Sequence, residues 1–165
     1  MRCEIAALLL LGLSGCAAQP QMFATIKYVG AKDDLGATKA LETTRRDPQA
    51  IGTDSVADLG LSTARVCDAA KVNCRSAVVS GELRYKVEKI DDKTVRISGK
   101  LITKISRNIT TVSARTTQRM GLVDGVESLG ETSDEQPVTG VMELRQPLDL
   151  KGAYGTRVSI WFEEK

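Results

Sequence analysis

The chain has 165 residues, 42% hydrophobic and 27% charged, with a net charge of +2. A balance so close to neutral argues against a nucleic-acid binder, which is ordinarily markedly basic. The sequence contains no histidine, which removes Ser-His and Cys-His nucleophiles, the commonest general base and the commonest metal ligand.

In chain order, the polar start Met1-Arg2-Cys3-Glu4 is followed by nine apolar residues, Ile5 to Leu13. As a helix this run rises about 14 Å, far short of the roughly 30 Å hydrocarbon core. It reads as the apolar region of a signal peptide and is kept out of the fold. The quartet that ends it, Leu13-Ser14-Gly15-Cys16, resembles the lipobox of a bacterial lipoprotein precursor. The resemblance implies cleavage before Cys16 and acylation of that residue, giving a membrane attachment stable enough to be permanent. In lipoproteins of this class an aspartate after the cysteine tends to retain the protein at the inner membrane. Here Ala17-Ala18-Gln19 follows, which implies the outer membrane, with the protein facing the periplasm. The expected organisation is a signal peptide over residues 1–15, a lipidated tether over 16–22 and one periplasmic β-domain over 23–165. Loss of Arg2 and Glu4 with the leader leaves the net charge at +2. The mature length suits a single domain with a core of its own.

With Cys3 removed and Cys16 modified, Cys67 and Cys74 remain. An even pair in an oxidising compartment reads as a disulfide. The spacing is too wide for C-x-x-C, and without histidine a zinc set is incomplete.

Phe23 to Val29 has strand composition, with Ala24, Ile26 and Tyr28 on one face. The segment from Asp33 to Arg46 suggests one short helix, capped by Asp33 or Asp34 and closed by Arg45-Arg46, although Gly36 and three threonines weaken it. Asp47-Pro48 reads as a break, and Ile51 to Ala64, rich in Gly, Ser, Thr and Asp, as a loop-rich connection.

Alternation is clearest in the second half. Leu83, Tyr85 and Val87 alternate with charged residues, Asp91-Asp92-Lys93 turns the chain, and Val95 to Ile105 continues on odd positions. The two runs predict an antiparallel hairpin. Ile109 to Met120, dense in threonine, predicts a third strand. Val138 to Leu144 predicts a fourth, and Val158 to Phe162 a terminal one. The expected fold is mainly β: an antiparallel sandwich, or a partly open barrel, with at most one short helix.

The folded part carries no G-x-S-x-G, S-x-x-K, P-loop, G-x-G-x-x-G or EF-hand spacing. Asp33-Asp34 and Asp91-Asp92 read as turn residues rather than a carboxylate pair of the glycosidase kind. No enzyme, metal or cofactor is expected. Charge is uneven: residues 82–120 hold ten basic side chains against four acidic, and residues 121–165 hold four against nine. Arg84, Lys86, Arg96, Lys100 and Lys104 share the outward phase of the hairpin, and Arg115 and Arg119 extend it if the third strand lies alongside. Such a face suits an acidic protein or anionic headgroups. The alternative is that the lysines keep the strands soluble and discourage edge pairing. The connection from Gly121 to Pro137 is long. Leu122, Val123, Val126 and Leu129 suit folding back around a turn at Asp124-Gly125, which leaves Glu131, Asp134 and Glu135 as a candidate contact loop. The function expected is a non-enzymatic, outer-membrane-anchored component that binds another cell-envelope protein, as an assembly or scaffolding part of a secretion or pilus-type system. The alternative is a β-domain that binds a small ligand or lipid.

Overall fold

The computed structural model describes residues 21–36, 40–112 and 117–165. Among the described residues, ten strands form three antiparallel sheets. The first sheet has the order β2-β1-β10-β9, with β1 at Met22–Val29, β2 at Glu42–Gln49, β9 at Leu148–Lys151 and β10 at Arg157–Glu164. The second has the order β3-β4-β5-β8, with β3 at Asp54–Cys67, β4 at Cys74–Lys89, β5 at Thr94–Ser106 and β8 at Thr132–Glu143. A separate hairpin pairs β6 (Asn108–Val112) with β7 (Thr117–Gly121). The expected antiparallel sandwich is what forms.

The main core lies between the two four-stranded sheets. Ala24, Ile26, Tyr28, Val158, Ile160 and Phe162 face Leu83, Tyr85, Val87, Val95, Ile97 and Leu101, all buried. Alternation with period 2 puts each set on one side of its sheet. Burial pushes the Tyr85 phenol up to about 12. A smaller cluster of Ala31, Ala64, Ala77, Val79 and Ile105 continues the core beyond it.

Both edges of the sandwich are closed by short connections. Residues 50–53 lead from β2 to β3, and residues 144–147 from β8 to β9. The seam at β2 and β3 is polar: Gln49 Nε2 donates to Ser55 Oγ at 3.0 Å, and Arg45 Nη1 donates to the Asp58 carbonyl at 3.2 Å. At one end of the sandwich the chain enters at Gln21, whose carbonyl accepts from the Lys165 N–H at 3.1 Å. Lys89 Nζ reaches Glu164 at 2.7 Å on the same end, and that carboxylate holds the Lys89 pKa above its ordinary value. At the opposite end the β3–β4 turn is closed by the Cys67–Cys74 disulfide. There Asp68 accepts from the Val72 N–H at 2.9 Å and from Asn73 Nδ2 at 2.8 Å, contacts that hold its carboxyl below the ordinary aspartate value.

Three local expectations are overturned. No helix forms among the described residues of Asp33–Arg46: Asp34 and Leu35 turn, and Glu42 onward is β2, paired along its full length with β1. Thr43 and Thr44 suit a strand, and pairing with β1 satisfies backbone groups that a helix of this weak propensity would satisfy poorly. Asp47-Pro48 lies inside that strand, tolerated because β2 is an edge, where a missing N–H interrupts no second ladder. Ile51 to Ala64 is mostly β3 rather than loop. A register shift between Asp58 and Gly60 changes its inward phase, so Ala57 and Leu59 face the core before it and Ala64 after it. Asp58 Oδ1 accepts the Gly60 N–H at 2.9 Å, and Gly60 takes φ +90°, a conformation natural to glycine.

Candidate partner-binding surface

The candidate surface is the outer face of the β3-β4-β5-β8 sheet and the hairpin that crosses it. The β5 strand ends at Ser106, and the chain doubles back as β6 and β7 over the half of the sheet nearer the disulfide. Met120 on β7 receives the Thr63 hydroxyl at 3.7 Å. Val78, Ser80 and Ile102, which point out of the sandwich, are buried all the same. The expected single strand over Ile109–Met120 is therefore two paired strands, and this hairpin is a third layer over the sheet. Arg119 lies on β7 rather than beside the cations of β4 and β5, and Arg115 lies outside the described residues.

Arg107 holds the base of the hairpin. Its carbonyl accepts from the Leu122 N–H at 3.0 Å, and its guanidinium donates to the carbonyls of Val126 at 3.0 Å and Val123 at 3.3 Å. The connection then docks on β4: the Ser76 N–H donates to the Glu127 carbonyl and the Leu129 N–H to the Ser76 carbonyl, each at 2.9 Å. The expected fold-back occurs for Leu122, Val126 and Leu129, with Leu129 against the smaller core cluster and Gly125 at φ +84° in the turn, but Val123, expected to fold back with them, is exposed because it sits at the tip beside that turn. Only part of the expected contact loop is loop. Glu131 precedes β8 and accepts from Ser106 Oγ at 2.8 Å, whereas Asp134 and Glu135 are inside β8, paired with Thr103 and Ile102. Successive strand residues point to opposite faces, so Asp134 and Glu135 do not act from one side.

Arg84, Lys86, Arg96, Lys100 and Lys104 do share the outer face of the sheet, as the registers Arg84↔Lys100 and Glu88↔Arg96 require. They are interleaved with carboxylates. Arg84 pairs with Glu82, Lys86 with Glu88 at 3.1 Å, Arg96 with Glu88 at 3.9 Å and Lys100 with Glu135 at 2.8 Å. Lys100 holds the Glu135 carboxyl below its ordinary value. Exposed pairs of this kind contribute little to stability; their main effect here is to cancel the field of the cations. Lys104 has no ion-pair partner within 4 Å among the described residues.

Where the hairpin meets the open half of the sheet there is a groove. One part, about 480 Å³, runs between Ile109–Val112 and the face formed by Val56, Glu82, Ile102 and Lys104, with Arg45 at its end. A second part, about 490 Å³, continues along Asn108–Thr110 past Lys104 to Glu131 and Ser133. A shallower depression of about 530 Å³ adjoins it at Val56 and lies over Gly99. A Cβ at Gly99 would overlap the Arg84 carbonyl oxygen, so glycine is needed where β5 comes this close to β4. Sequence reasoning identified Lys104 but not Ile102, Val56 or the β6 residues. The available sign was that Asn108-Ile109-Thr110-Thr111-Val112 carries no charge and no proline.

No protein-family model, curated protein or solved structure matches the chain. Among the described residues there is no cluster of three or more metal-ligating side chains, and no helix is long and apolar enough to cross a membrane. The Cys16 site lies outside the described residues. The disulfide of Cys67 and Cys74 is formed.

Proposed function

We propose that the chain is a lipoprotein anchored through Cys16 in the outer membrane, facing the periplasm, where it binds another protein of the envelope as a non-enzymatic assembly or scaffolding component. The observation that carries this reading is the polarity of the sandwich. The chain enters at the end that holds Gln21 and Lys165, so a lipid at Cys16 would hold that end toward the bilayer. Five residues, at about 3.3–3.6 Å each, span at most roughly 18 Å from Cys16 to Gln21. The opposite end carries exposed Leu35, Val66, Val72 and Val123 around the disulfide turn, more than the exposed Ile51 and Ile90 near the tethered end. Contacts there tie the two sheets together, with Arg65 and Lys32 bonded through their backbones at 3.1 Å. A tether at one end and apolar side chains at the other suit a module that presents a surface to a partner.

The test is membrane fractionation together with pull-down. Cys16→Ser should block maturation and release the protein from the membrane fraction. Wild type in detergent extract should retain an envelope protein at moderate salt. Unchanged maturation and membrane retention in Cys16→Ser would remove the anchor. Failure to retain any envelope protein would remove the scaffolding role.

A further inference from the structure

The groove is bounded by a strand edge that has no partner among the described residues. Among the described residues, β6 pairs only with β7. The direction of its other edge follows from two contacts. Met120 on β7 meets Thr63, on the disulfide side, while residues Ile109–Val112 line the groove over Glu82, Ile102 and Lys104. The unpaired edge of β6 therefore faces the groove. Which groups it presents also follows. The bond from the Leu122 N–H to the Arg107 carbonyl belongs to the same register that pairs Ile109 with Met120. In an antiparallel ladder, hydrogen-bonded and non-bonded pairs alternate. Ile109 and Thr111 thus bond to β7, and Thr110 and Val112 direct their N–H and C=O groups into the groove.

The other strand edges among the described residues are blunted in the ways natural sheets use, β7 by Arg119. The β2 edge carries Arg45, Arg46, Asp47 and Pro48, the β8 edge Asp134, Glu135 and Pro137, and β9 is four residues long. The β3 edge has Asp54, Asp58 and a register shift. Only β6 among these is uncharged, proline-free and rich in threonine and β-branched side chains. Its floor is equally specific. Ile102 and Val56 offer aliphatic contact. Glu82 is engaged by Arg84, Arg45 by Asp47, Asp58 by the Gly60 N–H and Glu131 by the Ser106 hydroxyl, which leaves Lys104 as the groove cation without an ion-pair partner among the described residues.

We propose that the β6 edge is a strand-addition site for an extended segment of a partner protein, a segment that alternates aliphatic residues with a carboxylate placed to meet Lys104. Backbone hydrogen bonds to Thr110 and Val112 would supply the affinity, and Ile102, Val56 and Lys104 the selectivity, as strand-addition sites generally divide those roles. This rests on the protein-binding reading above and gives it a location.

The experiment uses the full chain purified in detergent and phage-displayed random 12-residue peptides. Selection should enrich proline-poor peptides that contain aliphatic residues and Asp or Glu. An enriched peptide, made synthetically, should slow hydrogen exchange at the amides of Thr110 and Val112. Thr110→Pro removes an N–H that β7 does not use, so it should weaken peptide binding about tenfold while circular dichroism and melting stay near wild type. Lys104→Glu tests the groove without touching the backbone, and should weaken binding several-fold and remove its salt dependence. Absence of enrichment, or binding equal in both variants and wild type, would overturn the proposal. So would a dimer in sedimentation that already protects Thr110 without peptide, because the edge would then be filled by a second copy. If a partner is retained in pull-down by Thr110→Pro as well as by wild type, the edge is wrong and the protein-binding role stands.

Discussion

The two halves of the β3-β4-β5-β8 sheet are built differently. In the half toward the chain termini, Arg84, Lys86, Arg96 and Lys100 face water on one side while Leu83, Tyr85, Val87 and Ile97 face the core on the other. Toward the disulfide, β4 from Ser76 to Gly81 is buried on both sides, as the burial of Val78 and Ser80 beside Ala77 and Val79 shows. The first half is a two-layer sandwich; the second is three layers, with the β6–β7 hairpin and the Leu122–Gly130 connection as the extra cover. The groove lies at the boundary, because a layer that stops part-way across a sheet leaves a step, and the step here is a strand edge.

The comparison breaks most directly through two isoleucines on β5. Ile97 is fully buried between the sheets, and Ile102 is 5% exposed beneath the hairpin. Ile97→Ala should cost about 2–5 kcal/mol in global stability, the usual range for a core truncation that leaves a cavity. Denaturant unfolding measures it. Ile102→Ala should cost less globally, because the hairpin can settle onto the gap, yet it should accelerate hydrogen exchange selectively in Asn108–Gly121. Equal global losses with no local change would mean that the hairpin is integral to one cooperative core rather than a cover laid on it.

The disulfide sharpens the same contrast from the far end. It closes a turn of eight residues counted from Cys67 to Cys74, for which chain entropy gives about 2.5 kcal/mol. Cys67→Ser with Cys74→Ser should lower stability by about that amount and shift the midpoint of denaturation. The loosened exchange should concentrate in the three-layered half, where β3 and β4 extend beyond the main core. A loss spread evenly over both halves would show that the cross-link acts only through the unfolded chain.

What the sequence made legible follows the same division. Alternation exposed β1, the open half of β4, nearly all of β5, the second half of β8, and β10, because each has a mainly wet face and a dry one. The covered half of β4 did not alternate: Ser76-Ala77-Val78-Val79-Ser80-Gly81 has small or apolar residues on both sides, and such a run has no period to read. The β3 strand was hidden by Gly60, whose register shift changes phase in mid-strand, and β2 by polar residues on both faces, permitted because it overhangs the core at an edge. The short β9, Leu148–Lys151, went unrecognised because four residues are too few for a pattern. For the candidate surface, residue phase correctly put five cations on one face. Residue phase on β4 and β5 alone did not reveal the Glu135 carboxylate brought by β8, nor that Asn108–Val112 would bring a free edge over Ile102, since both depend on contacts distant in sequence.

The smallest expected effect concerns pH. Asp68 in the disulfide turn has its pKa lowered first by the Val72 N–H, Asp34 first by the Cys67 N–H, and Glu135 in the open half first by Lys100. A folded pKa below the unfolded one stabilises above the unfolded value and loses that contribution as pH falls through the folded value. With ordinary carboxyl values of 3.8 for Asp and 4.5 for Glu, stability should be level near neutrality and decline as pH drops below about 4.5. Asp68→Asn should flatten part of that decline while preserving the turn, since an amide oxygen still accepts from Val72. Glu135→Gln should flatten another part, and only that part should shrink at high salt, because a lysine pair in water is screened whereas backbone bonds are not. Equal salt sensitivity of the two variants would mean that Asp68 acts through nearby charge rather than through the amides of its own turn, and the disulfide end would then owe less to local backbone geometry than its hydrogen bonds indicate.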